Sequence, residues 1–242
     1  AGVLRRAVGG GVVGAAALPG SRPYHDPVQI RRIHEAGHEV ASHSHRHEWL
    51  PGLNREALLE TLRSSKHALE DCIGAPIRSF VPPYNQPYDY LRGLSVSLSE
   101  RREAGPMRTD LRRLCDALAE TGYAFCRVSY RPVFQRLAEW CTSRRLDRPS
   151  RLERIGAVAC LRLNTTGGFD PPVRTMLERS VNTPGVVVAY GHPHSLSSGG
   201  SQDEEHLIPF LDRVRRLQRD NLLETVLPRQ LCQGPGEARV AS

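Results

Sequence analysis

Lysine is almost missing from this 242-residue chain: Lys66 is the only one among 33 basic residues, so the net charge of +7 is carried by arginine. Those arginines are spread along several helical stretches, with no dense patch and few aromatics between them. That spread argues against a nucleic-acid surface and fits a GC-rich coding sequence, while leaving open an attraction to anionic glycans or nucleotide-linked sugars. Long apolar runs are also missing. No segment reaches the roughly 18 apolar residues of a membrane span. The six cysteines (72, 115, 126, 141, 160 and 232) form no CxxC pair and no zinc-ribbon spacing. Cys115 falls at a core-facing helix position, and Cys126 and Cys160 fall inside strand-like runs. They read as small buried hydrophobes in a reducing compartment, not as a disulfide framework. That points to the cytoplasm. Acidic residues are absent before Asp26.

What is present suits one large soluble domain: 39% hydrophobic and 24% charged residues over a length that can bury a full core. Residues 1–22 are Gly- and Ala-rich. Arg5-Arg6 followed by Ala7 to Leu18 has the outline of a signal segment, which leaves export open. A disrupted start of the domain is the reading we favour. Residues 23–232 read as the domain, and 233–242 as a flexible tail.

From Asp26 onward helix and strand alternate. Asp26-Pro27 caps a helix that stops at Gly37, and Asn54 caps a second, amphipathic one with Leu58, Leu59, Leu62 and Leu69 that ends at Gly74. Further helices are expected over 110–122, 132–142, 171–181 and from a Ser201 capping box to Asp220. Strands are expected at 38–43, 77–81, 124–129, 156–162, 185–190 and 222–226, with a polar excursion over 85–108. This alternation predicts a parallel α/β fold, barrel or doubly wound, whose chemistry sits where strands end.

Three polar clusters lie at such ends: His43 with His47, Pro82-Pro83-Tyr84, and His192 with His194. The first belongs to a run, Gly37 to His47, that holds four of the ten histidines. His43 and His47 are four apart, a spacing that on a helical turn would put both imidazoles on one face, near enough to share a metal ion. His38 and His45 are expected to be structural or solvated.

The run Gly37-His38-Glu39-Val40-Ala41-Ser42-His43-Ser44-x-x-His47 resembles the metal-binding motif of polysaccharide deacetylases, H-[ST]-x-x-H. Phe80-Val81-Pro82-Pro83-Tyr84 resembles that family's F-R-x-P-[YF], and Val186 to His194 resembles the late strand that presents a catalytic histidine. The resemblance covers about residues 27 to 230. It implies a distorted (β/α) barrel of six to seven strands, incomplete at its N-terminal end. It also implies a hydrolase that removes N-acetyl groups from an amino-sugar glycan, using a divalent metal, usually Zn2+. By the same resemblance His43 and His47 are metal ligands and His192 or His194 the acid. Pro83, Tyr84 and Asn85 would line the sugar site, and Asp26 is the candidate third ligand. The family's opening T-F-D-D-G, which supplies base and third ligand, has no counterpart here, and its arginine is Val81. The alternative is a non-catalytic relative, or fragment, that binds carbohydrate or metal. Neither a nucleic acid nor a membrane span is expected. The oligomeric state stays open.

Overall fold

The computed structural model describes residues 5–6, 12–21, 26–91, 94–97, 107–108, 111–130, 133–142, 149–163, 168–192, 195–197 and 199–232. Two short strands, β1 (Arg5–Arg6) and β2 (Val12–Val13), pair antiparallel at the front. The next strand, β3 (Ala15–Leu18), runs parallel to β4 (Glu39–Ser42), with Ala17 opposite Ala41 and Leu18 opposite Ser42. Between them stands α1 (Pro27–Glu35). Its first turn is held by the Asp26 carboxylate, which accepts from Val28 N at 2.9 Å, and Pro27 supplies a φ already suited to a helix start. Gly37 then turns the chain at φ 82, a conformation a Cβ disfavours.

The parallel run continues through β5 (Ser79–Phe80) to β9 (Phe125–Tyr130) and β11 (Val158–Leu163). The expected excursion over 85–108 contains three strands, β6 (Tyr88–Leu91), β7 (Leu94–Ser97) and β8 (Met107–Arg108). They form an antiparallel meander whose first strand pairs with the end of β9. β10 (Arg151–Ile155) adds antiparallel to β11, giving a nine-stranded sheet. Helix α2 (Arg55–Ile73), capped by Asn54 and closed by Gly74, and α3 (Leu111–Glu120) cover one side of it. Leu62, Leu69 and Leu118 are fully buried there against Phe80 and Cys126. Each such leucine contributes about 1.5–3 kcal/mol of transfer free energy.

α4 (Val133–Thr142) follows β9, and α5 (Pro171–Ser180) packs with α6 (Glu204–Arg219) through Val173, Met176, Leu177, Phe210 and Val214. α6 is capped by Asp203, which accepts from His206 N at 3.0 Å, not by Ser201. A short α7 (Pro228–Leu231) closes the described chain. The fold is the expected α/β arrangement, with the barrel left open. Residues 185–190 are joined by isolated bridges at Val186, which pairs antiparallel with Ser150, and at Ala189, and among the described residues 222–226 join no ladder. Both predicted strands are apolar and extended, and Val188 is buried against Phe125, Ala159 and Leu161 with Val226 packed beside them. Side-chain burial holds both in place, helped at 185–190 by the Val186–Ser150 bonds and by Gly168 N–H donating to Tyr190 O at 2.9 Å.

Candidate active site

Side chains alternate along a strand, and here the register sets one inward-facing row. Ala15, Ala17, Ala41, Ser79, Val81, Phe125 and Arg127 face one another around a small cavity with free space of about 10 Å³. One step past the last pairs, Leu18 with Ser42 and Phe80 with Cys126, the same row reads Pro19, His43, Val81, Arg127. Backbone bonds continue that register: His43 N–H donates to Leu18 O, and Val81 N–H to Ser42 O, each at 2.9 Å.

His43 is held by its ring as well. Its Nδ1 lies 2.6 Å from Val81 O; because a carbonyl only accepts, Nδ1 carries the proton and Nε2 is left bare. Burial pushes the His43 imidazole down to about 3, outweighing the Val81 bond, and the neighbouring His47 adds to the lowering. The ring is therefore neutral at pH 7. His47 meets it edge to face with centroids 4.8 Å apart.

This meeting does not come from a helix. Ser44 (φ 65) and His47 (φ 59) are both left-handed, so the segment is a tight loop. Glu48 holds it closed, accepting from Ser44 Oγ at 2.6 Å, Thr61 Oγ at 2.7 Å and Arg46 N at 2.9 Å. Burial alone would lift the Glu48 carboxyl, but these bonds outweigh it and hold the group below its usual range. His45 faces the other way, its Nδ1 buried without a hydrogen-bond partner among the described residues, and its backbone N–H donates to Thr61 Oγ. His38 is structural: its Nδ1 accepts from Gly14 N at 3.0 Å.

Tyr84 stands on His47 at 4.6 Å and on Trp49 at 5.6 Å, making an aromatic wall beside the histidines. It sits at φ 55 in the turn Pro83–Asn85, and Pro83 is buried. Asn85 Oδ1 accepts from Arg127 Nη2. Arg127 is 5% exposed and also lies under the Tyr190 ring at 4.9 Å, so it ties the Pro83 turn to the 185–190 segment. Sequence reasoning missed Arg127 and Trp49. The signal for the first was a lone arginine inside the apolar strand Phe125-Cys126-Arg127-Val128.

His192 is exposed; its N–H donates to Gln202 Oε1 at 2.8 Å, and Nδ1 lies 3.2 Å from the same oxygen. His194 lies outside the described residues.

The polysaccharide deacetylase family matches this chain over residues 10–99, a stretch holding β3, both loop histidines and Tyr84. Among solved structures, a protein assigned as a polysaccharide deacetylase from Mycobacterium smegmatis superposes with a TM-score of 0.60 at 18% identity. That superposition covers 90% of this chain and 70% of the other. Residues 10–99 are thus similar to that family, and the chain shares the fold of the Mycobacterium protein. A CE4 family pseudoenzyme from Bacillus anthracis is similar at TM-score 0.48 and 12% identity, over 91% of this chain and 56% of that one. A mutant of that pseudoenzyme with restored activity gives 0.48 and 13%, over 91% and 57%. The chain thus spans little more than half of those two proteins. No curated protein matches it.

A deacetylase-like site that hydrolyses through zinc needs three protein ligands and a water. His43 and His47 supply two imidazoles. Among the described residues no three His, Cys, Asp or Glu side chains are placed to hold one metal ion, so Asp26 does not join the two histidines and stays an exposed helix cap. Next to His43 in the row stands Pro19, and residues 18–21 read Leu-Pro-Gly-Ser with no carboxylate. The described donor set does not fit a three-ligand catalytic metal.

Proposed function

We propose that this chain is a non-catalytic, polysaccharide deacetylase-like protein that binds an N-acetylated glycan without hydrolysing it. One observation carries the reading: Pro19 occupies the inward position beside His43, and Val81 the next one. Hydrolysis of an N-acetyl amide needs water activated by a base within hydrogen-bond reach. At this end of β3 and β5 the row offers a pyrrolidine ring and an isopropyl group instead. What the site retains suits recognition. Tyr84 and Trp49 form an apolar wall with polar edges beside the histidines, the kind of surface on which a sugar ring stacks.

Titration calorimetry with a chitin tetramer tests this. Saturable binding, weakened at least tenfold by Tyr84→Ala, with no acetate released, is the expected result. Absence of binding by the folded wild type would overturn it.

A second reading, a metal-dependent deacetylase, is favoured by the way Val81 O fixes His43 with its proton on Nδ1, leaving Nε2 unprotonated, and by the His47 ring 4.8 Å away. Under it a divalent cation, zinc foremost, is the cofactor, and His192 or His194 the acid. It requires acetate release that depends on His43.

A further inference from the structure

Three of the six cysteines converge in the core between the sheet and α3. Cys126 on β9 and Cys160 on β11 are register partners, and Cys115 lies on α3, the helix packed over them. Cys115 and Cys160 are 1% and 0% exposed, and their Sγ atoms lie 3.6 Å apart, in contact. All six cysteines are thiols in this structure.

We infer that Cys115 and Cys160 are a latent cross-linking site, converted to a disulfide by a small neutral peroxide. A disulfide needs sulfurs about 2.05 Å apart. The two sulfurs touch across one helix–strand interface at 3.6 Å, so the bond needs a further approach of about 1.5 Å. The chemistry balances with one peroxide. One thiol gives two electrons to hydrogen peroxide, becoming a sulfenic acid and releasing one water. The other sulfur then attacks it, forming the S–S bond and releasing a second water. Two thiols and one peroxide yield one disulfide and two waters.

Access selects the oxidant. The Cys115 thiol is pushed up by its contact with Cys160 and by burial, and the Cys126 thiol by burial. Thiolate at Cys115 is therefore scarce, and bulky disulfide reagents do not reach a pair 1% and 0% exposed, so oxidation is slow and needs a small oxidant. The bond would tie α3 to β11 across 45 residues of chain and so constrain the unfolded state.

The test uses the full chain in two labelling steps. N-ethylmaleimide on the native protein alkylates exposed Cys141 and the half-buried Cys72 and Cys232. Hydrogen peroxide follows, then catalase, then unfolding in guanidinium with a maleimide of different mass. The expected result is second label on Cys126 only, with the Cys115 and Cys160 peptides joined until dithiothreitol separates them. Cys126→Ser keeps that link. The linked protein melts several degrees higher than the reduced one. Second label on both Cys115 and Cys160, a link to Cys126, or a linked form that melts lower would each overturn the inference.

Discussion

Glu48→Ala should open the histidine loop. The carboxylate accepts three bonds of 2.6, 2.7 and 2.9 Å, two of them from Ser44 and Thr61, which are buried at 0% and 7% exposure. A hydrogen bond to a charged group contributes about 1.5–3 kcal/mol. Three would give about 4.5–9 kcal/mol if nothing replaced them. Glu48 itself is half-buried, so water takes over part of that, and we expect a loss of about 2–4 kcal/mol. On a domain stable by roughly 5–15 kcal/mol that is a large fraction. Urea unfolding reads the loss, and the imidazole resonances of His43 and His47 read the loop. The sign with pH follows from the lowered carboxyl. Its stabilisation is present above the unfolded value of 4.5 and is lost as pH falls through the folded value, so wild type and variant converge in acid. A loss under about 0.5 kcal/mol, the scatter of ordinary surface substitutions, with unmoved histidine resonances would refute the reasoning.

Three further changes probe the frame around the site. Lys66 Nζ donates to Ile77 O at 2.6 Å and Gly122 O at 3.1 Å and lies 3.4 Å from Glu70, so Lys66→Met should cost about 2–4 kcal/mol in urea unfolding. A cost below about 1 kcal/mol would mean those carbonyls find water instead. A Cβ on Gly20 would stand 2.5 Å from Ser65 Cα, so Gly20→Ala should lower the melting temperature at a cost of about 1–3 kcal/mol; an unchanged melting temperature would contradict this. Pro19→Asp puts a carboxylate beside His43, and zinc retained after desalting, measured by elemental mass spectrometry, should rise toward one per chain; equal zinc in variant and wild type would show that position 19 does not face the histidines.

Helices with strong caps were legible in the sequence, as Asp26-Pro27 and Asn54 to Gly74 show, because capping is local chemistry. β3 was not. Ala15-Ala16-Ala17 carries little strand preference of its own and reads like a signal segment; its identity comes from pairing with β4, and Ala15 and Ala17 line a small cavity. The meander over 88–108 had a visible alternation in Leu94-Ser95-Val96-Ser97, masked by the polar residues around it. For the site, the spacing of four between His43 and His47 pointed to the right pair for the wrong reason. The rings meet through two left-handed residues and the Glu48 carboxylate, neither of which a helical period describes. Arg127 became meaningful only when the register set it in the row with His43 and Val81.

The most direct test of the account is acetate release from an N-acetylated chitin oligomer by the wild-type chain with added zinc, run beside His43→Ala. The account predicts no acetate from wild type above the level of the variant. Acetate released by wild type and abolished in His43→Ala would contradict it.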